Sequence, residues 1–387
     1  MNTFEIDNKY IAQTYKRFPV TLVEGKGSLA YDDKGKEYID LAGGIAVNIF
    51  GYCDEAWQSA VCAQAGQLSH TSNLYYTQPA SVLAKLLVEK SKMSRVFFGN
   101  SGAEANECAI KLARKYSQDK YGEARHKILC LKNSFHGRTL TTLAATGQDV
   151  FHKDFKPLTP GFVHCEPTKE ALNEALKDEN ICAIMMETIQ GEGGINVLSK
   201  EFVHEAYYQA QKRDIILIVD EIQTGLGRTG EFFDYMNYSI YPDIVTVAKG
   251  LGGGLPIGAC IFGKKLENTF AFGDHGSTFG GNPIACAGAL SVVERIDEEV
   301  FEGVKVRNKI ITDSISISPK VKEITGRGLM LGIEISGDVD KAVAECLENG
   351  VLVIKAKNKI RLLPALNIPF PQLTKALAVL IKAINES

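Results

Sequence analysis

Short apolar runs recur along this chain with room for a helix between them. They are Val96 to Phe98, Ile128 to Leu131, Ala183 to Met186, Ile215 to Val219, Ile244 to Val247 and Ala259 to Phe262. A continuous apolar run, without polar alternation, reads as a strand covered on both faces. Between the runs, Ala103 to Tyr116 and Glu201 to Arg213 carry apolar residues at helical spacing. Strand and helix in alternation predict an α/β fold with a mostly parallel sheet and helices on both faces.

The texture differs at the two ends. Up to about Asp40 the chain is extended and turn-rich, and Tyr31 to Tyr38 reads as a hairpin with Lys34-Gly35 at or near its turn. A long helix from about Pro283 to Glu299 leaves the sheet. Shorter elements follow at Gly328 to Ile335, Val339 to Asn349, Val351 to Lys355, Ile360 to Leu363 and Gln372 to Asn385. This gives an N-terminal segment over 1–45, a large domain over 46–289 and a smaller α+β domain over 290–387, with the first packing on the last. A length of 387 residues suits that division and is too long for one small domain.

Composition narrows the classes of partner. Hydrophobic residues make up 45% and charged residues 23%, as in ordinary globular proteins. A net charge of -3 gives no electrostatic reason to expect nucleic acid. The start, MNTFEIDNKY, lacks the basic and apolar regions of a signal peptide, and no apolar stretch reaches membrane-span length. The nine cysteines are scattered, without a C-x-x-C pair or histidines at ligand spacing. They read as reduced thiols in a cytoplasmic protein with no metal site.

The chemistry begins at two strand ends. The run Ile215 to Val219 delivers Asp220 and then Gln223; Ile244 to Val247 delivers Lys249. Ligands of open α/β sheets sit beyond the carboxyl ends of the strands, so Asp220 and Lys249 face one crevice. Pyridoxal phosphate needs that pair: a lysine for its Schiff base and an acid at its pyridine nitrogen. A buried Asp–Lys ion pair would use the same two residues.

Three glycine-containing loops compete as phosphate sites. Gly225-Leu226-Gly227-Arg228-Thr229-Gly230 matches G-x-G-x-x-G by letter. A dinucleotide loop follows its strand at once and opens a helix, whereas five residues intervene here. The loop after Lys249 has its lysine on the wrong side of the glycines for a P-loop. Asn100 to Glu107 follows a strand and opens an amphipathic helix, whose first N–H groups and dipole favour an anion, with the Ser101 hydroxyl beside them. Ser101 as a plain helix N-cap is the simpler alternative.

Taken together, the motifs resemble those of class III pyridoxal-phosphate aminotransferases, nearly end to end. The segments are Tyr38 to Val47, Ser72 to Tyr76, Asn100 to Glu107, Ser134 to Thr139, Gln190 to Gly194, Asp220 to Gly225, Ala248 to Gly254, His275 to Pro283 and Arg361 to Leu366. One departure is Ala103, where many relatives carry threonine. The resemblance implies fold type I, with a mostly parallel seven-stranded sheet and a smaller α+β domain.

It also implies roles. Lys249 would hold the cofactor as a Schiff base and then move protons; Asp220 would keep the pyridine nitrogen protonated. Ser101, Gly102 and Ala103 would hold the phosphate, Phe135 would stack on the ring and Gln223 would bond its hydroxyl. Glu221 and Ile222, inside the same motif, join the cofactor-binding set. Thr278 would reach the phosphate, and Ser277 the substrate, in a neighbouring subunit, which implies a homodimer with shared sites. Arg138 would clamp a substrate carboxylate. Glu192 would shield Arg361 for a donor reacting at its terminal amine and release it for glutamate; a fixed ion pair is the alternative. Tyr15 would gate the pocket. The match is closest to members acting on N-acetylornithine and 2-oxoglutarate. Ornithine, succinylornithine, succinyl-diaminopimelate and 4-aminobutyrate are rival donors. An NAD-dependent oxidoreductase using Gly225 to Gly230, or a non-catalytic pyridoxal-binding protein, is the rival from another class.

Overall fold

The computed structural model describes residues 2–387. Its centre is a seven-stranded sheet in the order Arg95–Gly99, Gly258–Phe262, Ile244–Val247, Ile216–Asp220, Ile181–Met186, Lys127–Leu131, Phe162–Cys165. Gly258–Phe262 runs antiparallel to both neighbours; the remaining pairings are parallel. Every residue of the strands Ile181–Met186, Ile216–Asp220 and Ile244–Val247 is buried, which is why they read as unbroken apolar runs. The seventh strand, Phe162–Cys165, was not among the expected runs. It lies at the sheet edge, only partly buried apart from Cys165, so no continuous apolar run is needed there.

The helix Gly102–Tyr121 lies across this sheet. Ala105, Cys108, Ala109, Leu112 and Ala113 form its buried stripe at helical spacing, and their small side chains let the helix lie close to the strands. The expected helix from Pro283 to Glu299 is instead two, Pro283–Val293 and Glu298–Ile315. The break falls where the Asp297 carboxylate caps the second helix by accepting from Val300 N at 3.1 Å.

Beyond the break, Val321–Arg327, Met330–Ile335, Lys359–Leu362 and Ile354–Ala356 form an antiparallel sheet; the helix Val339–Glu348 packs on it and on the helix Phe370–Glu386. The N-terminal hairpin turns between Leu29–Asp32 and Glu37–Asp40, with Gly35 at φ 79° and the Asp32 carboxylate accepting from Lys34 N and Lys36 N. Its second strand pairs in parallel with Val351–Leu352, Ile39 opposite Val351, so the two ends of the chain share a sheet.

A left-handed turn follows. Gly43, Gly44, Ile45 and Ala46 have φ of 56°, 62°, 62° and 66°. Left-handed backbone costs a residue with a side chain roughly 1–2 kcal/mol. The Asp40 carboxylate holds the turn's entry, accepting from Ala42 N at 2.7 Å and Gly43 N at 2.9 Å.

All nine cysteines are free thiols, seven of them buried. Among the described residues no helix is long and apolar enough to cross a membrane.

Candidate active site

Asp220 ends its strand opposite Thr246 of the neighbouring strand, and Lys249 lies three residues beyond Thr246. Both therefore emerge at the carboxyl edge of the sheet, into one cavity of about 480 Å³. Ser101, Gly102, Ala103, Phe135, Arg138, Glu192, Ile222 and Gln223 line it with them. Lys249 has φ 44°, a left-handed turn at the strand's exit. Its neighbour Gly250 passes so near Ile49 that a Cβ there would stand 2.9 Å from Ile49 Cδ1.

Asp220 is 4% exposed and firmly held. Its Oδ2 accepts from Asn106 Nδ2 at 2.8 Å and lies 2.8 Å from His136 Nδ1; its Oδ1 accepts from Ile222 N at 3.1 Å. A carboxylate cannot donate, so His136 carries its proton on Nδ1. Asn106 also donates to the His136 carbonyl at 2.8 Å and accepts from Thr246 Oγ1 at 2.7 Å. A carboxylate has about four acceptor sites, and three are used here. The remaining one leaves Asp220 able to take one further N–H from the cavity.

The second charged group is Arg361, only 3% exposed. Its Nη1 donates to Glu192 Oε1 at 2.5 Å and to Gln223 Oε1 at 3.3 Å, and Gln223 Nε2 donates to Glu192 at 3.3 Å. Among the described residues Arg361 Nε has no hydrogen-bond partner. Burial pushes the Glu192 carboxyl up, but the Arg361 guanidinium more than offsets it and holds the group below its ordinary value. Burial likewise holds the Lys249 amine below the usual lysine range, against the opposing pull of Glu192.

At the phosphate candidate, Ser101 Oγ accepts from Glu104 N at 3.2 Å, so the N-cap role is filled. The helix start lies against Ile222: a Cβ on Gly102 would stand 2.7 Å from Ile222 Cδ1. Arg138 lies over two rings, 5.5 Å from Phe135 and 4.1 Å from Phe151.

Five expected residues do not line this cavity; one is Arg361, which meets it through its contacts with Glu192 and Gln223. Ser277 and Thr278 line a separate one with His275 and Lys111, joined to the first by Asn100, whose Nδ2 donates to Ser277 Oγ at 3.2 Å. Tyr15 is 71% exposed and borders an N-terminal hollow. Glu221 turns into the core, accepting from Tyr235 N and Thr224 Oγ1. Its burial, with Asp234 nearby, pushes it up to about 8. The loop Gly225 to Gly230 opens no helix and lines no part of the cavity. Its Arg228 is wholly buried and donates to the carbonyls of Leu329 and Pro364, so the dinucleotide reading fails on geometry.

Three residues of the site were missed. Asn106 shows as a polar residue on the otherwise apolar stripe of its helix. His136 lies within the segment Ser134 to Thr139, where nothing in the sequence pattern marks it out. Glu187 directly follows the buried strand Ile181–Met186, the same signal that singled out Asp220. It is 6% exposed, lines the cavity and accepts from Phe135 N at 2.9 Å.

The donor set fits pyridoxal phosphate: a helix start for a phosphate, a carboxylate with one free acceptor site for a ring N–H, an aromatic wall and a lysine amine. A family model described as aminotransferase class III matches residues 10–384. The chain belongs to the class III aminotransferases. As a member it is a pyridoxal-phosphate-dependent transaminase. The acetylornithine aminotransferase of Haemophilus ducreyi is 48% identical over 99% of this chain and 98% of its own length. That of Methanocaldococcus jannaschii is 44% identical over 100% and 97%. Among solved structures, the ornithine aminotransferase of Toxoplasma gondii superposes with a TM-score of 0.94 at 33% identity, covering 98% of this chain and 94% of that one. The N-acetylornithine aminotransferase of Stenotrophomonas maltophilia does so with a TM-score of 0.86 at 33% identity, covering 99% and 98%. The fold of this aminotransferase is therefore fold type I.

Proposed function

We propose that this chain moves the terminal amino group of N2-acetyl-L-ornithine to 2-oxoglutarate, giving N-acetyl-L-glutamate 5-semialdehyde and L-glutamate, a step of arginine biosynthesis in the cytoplasm. The observation that carries it is the Glu192–Arg361 pair beside Lys249. A donor reacting at a terminal amine brings no carboxylate to the reacting carbon, so the nearby guanidinium must be neutralised. Glutamate does bring one, and needs the guanidinium free. The curated relatives quoted above carry the acetylornithine name and support the acylated donor. The high TM-score to an ornithine aminotransferase favours unacylated ornithine as the second reading.

When bound, pyridoxal phosphate supplies the electron sink and carries the amino group between the two substrates. In our reading Lys249 Nζ would hold the cofactor, and its amine would move the proton at the substrate's amine-bearing carbon. The depressed proton affinity of Lys249 suits it to act as a base. Asp220, held in place by Asn106 and His136, would accept the ring N–H. Phe135 would form the ring wall, Gln223 and Ile222 would flank it, and Ser101, Gly102 and Ala103 would receive the phosphate on backbone N–H groups. Ala103 offers no hydroxyl there. Arg138 binds the substrate's distal carboxylate.

Two further parts of the reading concern assembly. Ser277 and Thr278 serve the neighbouring subunit of a homodimer. The nearby Leu74, Tyr76 and Phe272 are 90%, 102% and 110% exposed, apolar surface that a partner would cover. Tyr15 gates the pocket after the same assembly. The N-terminal segment up to residue 45 and residues 290–387 form one smaller body against 46–289 in this reading, supported among the described residues by the sheet that Glu37–Asp40 shares with Val351–Leu352.

The test is a half-reaction screen. N-acetylornithine, ornithine, succinylornithine, succinyl-diaminopimelate and 4-aminobutyrate are each mixed with cofactor-loaded protein, and loss of the yellow band is timed. N-acetylornithine should be fastest; ornithine fastest by tenfold or more would replace the reading with its rival.

A further inference from the structure

Phe135 and His136 are pinned at four points. Phe135 N donates to Glu187 Oε2 at 2.9 Å, and His136 N donates to Thr146 Oγ1 at 2.9 Å. The His136 carbonyl accepts from Asn106, and the His136 ring reaches Asp220. Three of these anchors hold His136, and so the carboxylate of Asp220. Only Glu187 holds the backbone of the aromatic wall itself. Glu187 is also the one anchor besides Asp220 that lines the cavity with Lys249.

We propose that Glu187 is a positioning residue for transamination: it fixes the Phe135 wall and sets the negative charge felt at Lys249 Nζ. The inference rests on the site roles proposed above and adds to them a third carboxyl.

The charge argument follows from the groups that face one another here. Around Glu187 stand Asp220 at the end of the adjacent strand, Glu192 on the following loop, Lys249 beyond the strand Ile244–Val247 and the Phe135 N–H. Burial, then the neighbouring Asp220 charge, drives the Glu187 carboxyl well above its ordinary value. Lys249 in turn faces Glu192, Arg361, Asp220 and Glu187. Glu187 is thus uncharged in acid and gains its charge as pH rises, and that charge then favours the protonated form of the Lys249 nitrogen. A carboxyl that only braced the backbone would not do this.

Two variants separate the roles. Glu187→Gln keeps an oxygen for the Phe135 N–H and removes the charge. Glu187→Ala removes both. Each is loaded with pyridoxal phosphate, the cofactor dissociation constant is measured by fluorescence, and the absorbance of the bound cofactor is titrated against pH. Glu187→Gln should bind cofactor within about threefold of the unaltered protein, with its titration midpoint lowered by roughly half to one pH unit. Glu187→Ala should weaken cofactor binding by about tenfold or more. A Gln variant that titrates as the unaltered protein does, or an Ala variant that binds cofactor as tightly, overturns the inference. Failure of the unaltered protein to bind pyridoxal phosphate would instead defeat the transaminase reading itself.

Discussion

The Glu192–Arg361 pair offers a perturbation with opposite effects on the two halves of one reaction. Glu192→Gln leaves an amide that still accepts from Arg361 but no longer cancels its charge. Arg361 is nearly sealed from solvent, its Nη1 lies 2.5 Å from Glu192 Oε1 and its Nε is unpartnered. An uncancelled guanidinium there attracts the α-carboxylate of glutamate in every encounter and offers nothing to acetylornithine. The variant should keep or gain kcat/KM for the glutamate half-reaction and lose it for acetylornithine. Arg361→Ala should do the reverse. A buried charge-assisted contact is worth about 2–5 kcal/mol when one partner is removed; since 1.4 kcal/mol is tenfold, even the lower figure separates the halves by about thirtyfold. Stopped-flow absorbance follows each half-reaction alone. If both variants slow both halves equally, the pair is a fixed structural bridge and the reasoning is refuted.

Three other outcomes follow from the geometry. Asp220→Asn should retain part of the bound cofactor but cut turnover by several orders of magnitude, since an amide cannot stabilise a ring N–H⁺; turnover near that of the unaltered protein would make Asp220 merely structural. Mixing inactive Lys249→Ala with a disabling Thr278 variant should restore some activity through hybrid dimers; no recovery despite proven subunit exchange would mean each site is built from one chain. Gly43→Ala should lower the melting temperature by several degrees: Gly43 has φ 56°, and a Cβ there would stand 2.4 Å from the Leu363 carbonyl. At roughly 1–2 kcal/mol for the backbone alone, before the clash, an unchanged melting curve would contradict that approach.

The sheet was legible in the sequence wherever strands are buried on both faces, because burial on both faces demands unbroken apolar runs. Phe162–Cys165 is not legible because an edge strand carries no such demand, and the helix ending at Val293 reads as longer because the Asp297 cap leaves no break in the apolar pattern. Asp220 and Lys249 were legible because two adjacent parallel strands must deliver them to one edge. Glu187 carries the same signal, yet its contact with Phe135 spans 52 residues and appears only once the chain is folded. The Asn106–Asp220 contact spans 114. Glu221 sits beside Asp220 in sequence but points into the core, since successive residues at a strand's end face opposite ways.

Whether Lys249 carries the cofactor is the most direct test of the whole account. Cofactor-loaded protein is reduced with borohydride, digested, and the peptides are mapped by mass spectrometry. The pyridoxyl mass should be found on the peptide containing Lys249, and Lys249→Ala should lose both that label and the yellow band. A stoichiometric label on any other lysine, or no label with cofactor bound, would contradict the account.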